Sequence, residues 1–275
     1  MIDIGSGPPL VLVPGIQGRW EWMRPAVDAL AARCRVLSAS LAGDLGSDAA
    51  IDPARGFDSL VDQIDRLRAR AGLERVAVCG VSYGGYVALR YAATRPERVT
   101  ALVLVSTPGP DWTPDRPARR YVRWPRLLAP LFAAGAPFRL GPEIVAAHDG
   151  WTARARFTAR HTARVLAAMM SPPRMSERVR LLPPIDFREA CAAVEAPTLV
   201  VTGERRLDRV VPVDSTLEYT RAIRGARAVT LLRTGHIGLV TRPDAFAQIV
   251  GDFVERHAAA VERHASEHGT ASVSC

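Results

Sequence analysis

One stretch limits what this chain can fold into more than any other. It is Val76 to Arg90, reading V-A-V-C-G-V-S-Y-G-G-Y-V-A-L-R. Val76–Cys79 is an apolar run of the length and type of a buried strand. Gly80-Val81-Ser82-Tyr83-Gly84 follows, and then Tyr86, Val87, Ala88, Leu89 and Ala92, a pattern that suits a helix packed on a sheet. Strand, Gly-x-Ser-x-Gly and helix together are the setting in which a serine sits on a sharp turn with its hydroxyl exposed. Such a turn presses the neighbours of the serine together, so only residues without a Cβ fit at Gly80 and Gly84. Ser82 Oγ is then held above the sheet, at the positive end of the next helix. The motif also arises by chance as a plain strand-to-helix turn, so it needs partners elsewhere. The glycines are not spaced as a dinucleotide fingerprint.

Composition removes several chemistries. There is no lysine, and all 36 basic residues are arginine. That excludes a Walker lysine, a Schiff-base lysine and a Ser-x-x-Lys pair. The net charge of +8 is concentrated: residues 108–190 hold 14 arginines against 7 acids, a balance of +7. No reading helix or aromatic-interleaved basic patch accompanies this excess, so no nucleic-acid partner is expected. The four cysteines, Cys34, Cys79, Cys191 and Cys275, are widely spaced and form no metal pattern. No apolar run has the length of a membrane span, and no signal peptide is visible at the N-terminus. The expectation is a cytoplasmic protein with reduced thiols, no metal, no cofactor and no membrane partner.

Along the chain, strand candidates at Leu10–Val13, Val36–Ala39, Val76–Cys79 and Val99–Val105 alternate with helical patterns at Met23–Ala32 and Phe57–Ala71. The rhythm resumes with strands at Thr198–Thr202 and Ala228–Leu232. Helices are expected around Val213–Ile223 and from Asp244 to about Val261. This alternation predicts an α/β fold with a mostly parallel central sheet and helices on both faces. Between β-type segments, 12 of the 21 prolines fall in residues 108–190, with no convincing strand. The segment 108–195 therefore reads as an inserted helical cap, with helices around Arg119–Ala134 and Trp151–Met170. The core is 1–107 with 196–261, and 262–275 is expected to be a frayed tail.

A serine nucleophile needs a base and an acid to orient the base. In a parallel sheet both should come from loops at strand C-terminal ends. Of six histidines, only His236 lies in a glycine-flanked loop just past a strand, in Thr234-Gly235-His236-Ile237-Gly238. For the acid, Asp208 follows the Thr198–Thr202 strand in Gly203-Glu204-Arg205-Arg206-Leu207-Asp208-Arg209-Val210-Val211-Pro212. Glu204 in the same loop and Asp111 after the preceding strand compete for the role. The order Ser82, Asp208, His236 is the one known for hydrolases with this serine turn.

These motifs, with Ala196-Pro197-Thr198-Leu199-Val200-Val201-Thr202-Gly203, make the chain resemble α/β-hydrolase fold proteins from about Leu10 to Val254. Three departures stand out. Pro14-Gly15 replaces the family's usual His-Gly, Ser40 takes a position that often holds Asp, and the acid loop is about two residues longer. The resemblance implies an oxyanion hole built from the backbone N–H groups of Ile16 and Tyr83. It implies a serine hydrolase cleaving a carboxylic ester, lactone or thioester through a Ser-His-Asp triad and an acyl-enzyme. A carbon–carbon bond hydrolase, an acyltransferase, a perhydrolase or a ligand-binding protein with a vestigial triad would share the scaffold. The partner expected is a small-molecule substrate, with pairing into a homodimer left open. Trp20 and Trp22 are expected to pack over the first helix rather than line the acyl pocket.

One further pattern lies in the cap. Arg156, Arg160 and Arg164 recur at i, i+4 and i+8 and so share one helix face. Either they form a solvated stripe or they face an anion, on a partner surface or on the substrate.

Overall fold

The computed structural model describes residues 1–270, with side chains as far as Ala260. Seven strands form one sheet: β1 (Ile2–Ile4), β2 (Pro9–Val13), β3 (Arg35–Ser38), β4 (Val76–Val81), β5 (Val99–Val105), β6 (Thr198–Thr202) and β7 (Arg227–Thr230). Their order is β1-β3-β2-β4-β5-β6-β7. Every pairing is parallel except β1 with β3, where Ile2 lies opposite Ser38. β1 escapes the sequence reading because three residues carry too little pattern to register. The strand expected at Ala228–Leu232 begins and ends earlier, at Arg227 and Thr230.

Successive side chains of a strand point to opposite faces, so a sheet covered on both sides needs apolar residues at every position. Val11, Val13, Val78, Leu102 and Leu104 point into one apolar layer, and Leu10, Leu12, Cys79, Val103 and Val105 into the other. Helices α2 (Asp58–Arg70) and α3 (Tyr83–Thr94) cover the first face. α1 (Arg24–Leu30) and the long last helix, whose backbone runs from Pro243 to Thr270, cover the second. The helix expected to end near Val261 continues in the backbone to Thr270, so residues 262–270 of the expected frayed tail are helical, and 271–275 lie outside the described residues. Gly72, with φ +67°, ends α2 in the left-handed conformation a C-terminal glycine supplies.

Between β5 and β6 the chain is helical: α4 (Arg116–Arg123), α5 (Pro125–Ala134), α6 (Ala136–Ala147), α7 (Trp151–Ala167), α8 (Pro172–Arg180) and α9 (Phe187–Ala192). The single helix expected over Arg119–Ala134 is two. Trp124 precedes a proline, which drives its backbone out of the helical region, to φ −128° and ψ +56°. α10 (Val213–Leu217) and α11 (Tyr219–Ala222) likewise divide the helix expected at Val213–Ile223. After β7 comes α12 (Gly238–Thr241), and α13 is the last helix, Pro243–Thr270. Among the described residues, no helix is long and apolar enough to cross a membrane.

Candidate active site

Ser82 stands between β4 and α3 with φ +53° and ψ −120°, a region that residues with a side chain rarely occupy. The crowding expected around it is present. A Cβ on Gly80 would strike the backbone of Gly84, and one on Gly84 would strike the carbonyls of Val13 and Pro14. The turn is held by the Ser82 amide, which donates to the Val105 carbonyl at 2.7 Å, and by the Gly85 amide, which donates to Ser82 at 2.9 Å.

The carboxyl ends of four strands deliver the other groups. His236 comes after β7, and its Nε2 lies 3.2 Å from Ser82 Oγ. Its Nδ1 lies 3.3 Å from Asp208 Oδ2, in the loop after β6. Asp208 Oδ1 accepts the amides of Val210 and Val211 at 3.0 and 2.9 Å, which fixes the carboxylate and leaves Oδ2 for the histidine. Burial works to raise the Asp208 carboxyl, but His236 and the two amides outweigh it and hold it below the ordinary carboxylate range. His236 and Asp208 are each 7% exposed.

The two rival acids lie elsewhere. Asp111 is exposed and accepts Arg188 Nε at 2.6 Å. Glu204 accepts the Arg233 amide at 2.7 Å and Arg206 Nε at 3.1 Å, so it braces the loop that carries Asp208 without facing His236. Ile16, after β2, and Tyr83, the first residue of α3, line the same cavity as Ser82 and His236. Neither the Ile16 nor the Tyr83 N–H has a backbone partner among the described residues. At the start of a helix, where Tyr83 stands, such an amide is free for a ligand.

The cavity has a volume of about 290 Å³. Its walls are apolar: Tyr86 from α3, Pro108 and Trp112 from the segment after β5, Ala118, Tyr121 and Val122 from α4, Pro125, Ala129 and Phe132 from α5, and Met175 and Val179 from α8. No arginine and no carboxylate is among the lining residues. Trp20 and Trp22 are not among them either. Trp22 Nε1 donates to the Ala168 carbonyl at 2.8 Å, seating the end of α7 on the core. Arg156, Arg160 and Arg164 run along α7, away from the cavity lining. Among the described residues, no group of three or more His, Cys, Asp or Glu is placed to hold a metal ion. Cys34, Cys79 and Cys191 are buried free thiols, and Cys275 lies outside the described residues.

Two charged residues that the sequence reading did not single out reach the site from the cap. Glu143 of α6 is fully buried and accepts the Ile237 amide at 3.0 Å and Thr241 Oγ1 at 2.9 Å. It therefore grips the loop of His236. Burial pushes its carboxyl above the ordinary range, and the amides of Ile237 and Gly235 pull it back. Arg178 of α8, equally buried, grips the loop of Ile16. A signal existed for both. Leu140, Glu143, Ile144 and Ala147, and likewise Met175, Arg178, Val179 and Leu182, each place a charge inside an apolar stripe at i, i+3, i+4 and i+7.

The sequence matches the family described as the alpha/beta hydrolase fold over residues 8–243. The chain belongs to that family. It is 28% identical over 256 residues to a protein assigned as a carbamate hydrolase in Azorhizobium caulinodans, covering 90% of this chain and 92% of that one. It is 28% identical to a pimeloyl-[acyl-carrier protein] methyl ester esterase of Aeromonas hydrophila, covering 91% and 96%. Among solved structures, the enol-lactonase of Burkholderia xenovorans LB400 superposes with a TM-score of 0.74 at 24% identity, over 92% of this chain and 95% of that one.

Proposed function

We propose that this α/β-fold hydrolase cleaves a carboxylic ester, lactone or thioester, with Ser82 as nucleophile, His236 as general base and Asp208 as its orienting acid. The observation that carries the reading is the hydrogen-bonded row Ser82–His236–Asp208 opening into an apolar cavity. His236 Nε2 takes the proton of Ser82 as Oγ attacks the carbonyl carbon. The oxyanion forms against the amides of Ile16 and Tyr83, each worth roughly 3–4 kcal/mol of barrier when present. His236 then protonates the leaving alcohol or thiol, and the carbonyl re-forms as an acyl-enzyme. Water, deprotonated by the same nitrogen, attacks the acyl carbon, and Ser82 leaves with its proton restored. The relatives named for a methyl ester and for carbamate hydrolysis support a carbonyl substrate. The apolar lining favours a neutral, apolar acyl or alcohol part.

The test is a panel of ester, lactone and thioester substrates with wild type beside Ser82→Ala, together with labelling by a fluorophosphonate. Wild type is expected to be labelled and active. Ser82→Ala is expected to be folded, unlabelled and slower in kcat by about 10⁶-fold. Turnover that survives in Ser82→Ala at the wild-type rate would remove the assignment.

A further inference from the structure

Arg178 belongs to the cap, yet both Nη atoms of its guanidinium are spent on the loops after β2 and β3. Nη1 donates to the Ile16 carbonyl at 2.8 Å. Nη2 pairs with Asp44, whose side chain is 1% exposed, and reaches the Ala42 carbonyl at 3.5 Å. The backbone carbonyl of the same residue accepts the Tyr83 hydroxyl at 3.0 Å. One residue therefore touches both residues whose amides would form the oxyanion hole. The loop makes room for it. Gly18 has φ +76°, and a Cβ there would run into Asp44 Oδ2 and the Arg178 guanidinium. The Gly18 amide also closes a turn on the Gly15 carbonyl at 2.9 Å, so the two peptide planes flanking Ile16 are both held: the one that carries its N–H by Gly18, and the following one by Arg178.

Stability alone does not account for this arrangement. Burying a guanidinium and a carboxylate costs desolvation that their attraction barely returns, and apolar residues of similar volume hold elements together as well. Arg178 Nε is moreover buried with no partner among the described residues, a further cost. What an apolar residue lacks is a planar fork that grips a backbone carbonyl and a carboxylate in fixed directions.

We propose that Arg178, neutralised by Asp44, is a positioning residue of this site: it fixes the peptide plane that follows Ile16 and with it the aim of the Ile16 N–H, so that seating the cap and forming the oxyanion hole are one event. The proposal rests on the serine-hydrolase reading. Arg178 is not among the residues lining the cavity and acts through Ile16 and Tyr83. A cap displaced at α8 would slacken both donors, leaving Ser82, His236 and Asp208 in place with little rate.

The experiment compares wild type with Arg178→Lys, Arg178→Met and the double variant Arg178→Met/Asp44→Asn. Each is measured for thermal melting, fluorophosphonate labelling, kcat and KM on an ester that wild type turns over, and inhibition by a matched trifluoromethyl ketone. Loss of one oxyanion donor lowers kcat by roughly 10²–10³-fold, and that is the size of loss expected for Arg178→Met. KM should stay within about threefold, because the interaction is made in the transition state. Lysine, a point charge, should recover only part of kcat. Arg178→Met alone leaves a buried unpaired carboxylate and can fail to fold. The double variant has no unpaired charge and should melt above Arg178→Met while keeping the kcat deficit. The ketone, whose adduct is an oxyanion, should weaken in step with kcat/KM. A folded double variant with wild-type kcat, or a loss that lies in KM, overturns the proposal. If neither methionine variant folds, Arg178→Lys decides: reduced kcat at unchanged KM supports the proposal, and full kcat overturns it. A wild type that takes no probe and cleaves no substrate overturns the hydrolase reading and this proposal with it. A labelled, active wild type beside unimpaired variants overturns only this proposal.

Discussion

β4 and α7 stand at opposite ends of the way this molecule is built. All six residues of β4 are buried, and none of the seventeen of α7 is. In the core, apolar area removed from water sets where strands and helices lie. Polar residues are rare there, and those at strand ends, Ser82, Asp208 and His236, are the ones that meet. The cap leaves much of its apolar area unburied. Leu127, Leu131 and Phe138 are 74%, 62% and 73% exposed. Its last helix, α9, packs Phe187, Ala190 and Cys191 into the core, and the helices before it are held by polar anchors: Trp22 on the Ala168 carbonyl, Arg178 on the Ile16 loop and Glu143 on the His236 loop. Arg233, with φ +63°, adds another, donating through Nε to the Ala146 carbonyl at 2.7 Å. The proposed chemistry sits on the apolar half, and the polar links of the other half hold the loops that carry its residues.

The sharpest way to break this comparison is within the core row. Asp208→Asn should lower kcat by roughly 10⁴-fold with the fold intact, because the amide offers His236 Nδ1–H the wrong partner. Glu204→Gln and Asp111→Asn should each leave kcat within about threefold, as expected of surface ion pairs of small worth. Steady-state kinetics on the three variants checks the order. A larger loss at Glu204 or Asp111 than at Asp208 would move the acid.

Next comes a cap anchor. Glu143→Ala leaves the Ile237 amide and Thr241 hydroxyl without their acceptor, at a cost of about 1–3 kcal/mol. Melting should fall by about 2–4 °C per kcal/mol. If the carboxylate only holds the cap, kcat is unchanged. If it also holds the His236 loop, kcat falls by up to about 10²-fold, the scale of a small misplacement of a reacting group. The second outcome is expected, since its partners lie one and five residues past His236.

The difference between the halves also explains what the sequence made legible. β5 was readable at both ends, Val99 and Val105, because six apolar residues in seven admit few alternatives. The meeting of Ser82, Asp208 and His236 was legible because glycines and strand ends frame them. β1 was not, being only Ile2–Ile4 and paired across the sheet edge. Nor were Glu143 and Arg178. Charged residues in helices are normally solvated, and only the apolar stripe around each hinted that the charge pointed inward. Which loop each would grip depends on how the cap folds back, a long-range fact that no local pattern carries.

A smaller effect concerns a column under α7. His148 and Phe157 lie 4.6 Å apart between ring centres, Phe157 and His161 5.6 Å, and Trp22 meets His161 edge-on at 6.4 Å. His148 Nε2 and His161 Nδ1 are buried with no partner among the described residues. Desolvation, with Arg164 beside it, lowers the His161 pKa below the ordinary value. Desolvation lowers that of His148 too, with Arg233 and Arg154 adding to it. A group that binds its proton less tightly when folded makes unfolding take up a proton. Its stability is therefore complete above the unfolded value of about 6.5 and is lost as the pH falls through it toward the lower folded value. Wild type should thus lose melting temperature between pH 7.5 and 5.5, and His161→Leu should lose less over the same interval. Equal slopes would mean that the stack does not sense protons.

The smallest effect is expected where the charge is greatest. Arg156 and Arg160 are exposed, and Arg156, Arg160 and Arg164 have no acidic partner among the described residues. They do not line the cavity, whose walls carry no arginine. A grip on an anionic substrate needs the guanidinium within reach of the bound molecule, and the stripe lacks that reach. What remains is like-charge repulsion at i, i+4, which costs a few tenths of a kcal/mol per pair in a helix. Arg160→Gln removes the central charge and both repulsions at once. The variant should melt at or slightly above wild type, by about 1 °C at low salt, and the gain should shrink as salt screens the charges. Its kcat/KM for a hemisuccinate and for the matching methyl ester should keep the wild-type ratio at both low and high ionic strength. A selective loss on the hemisuccinate that salt abolishes would return the stripe to the substrate.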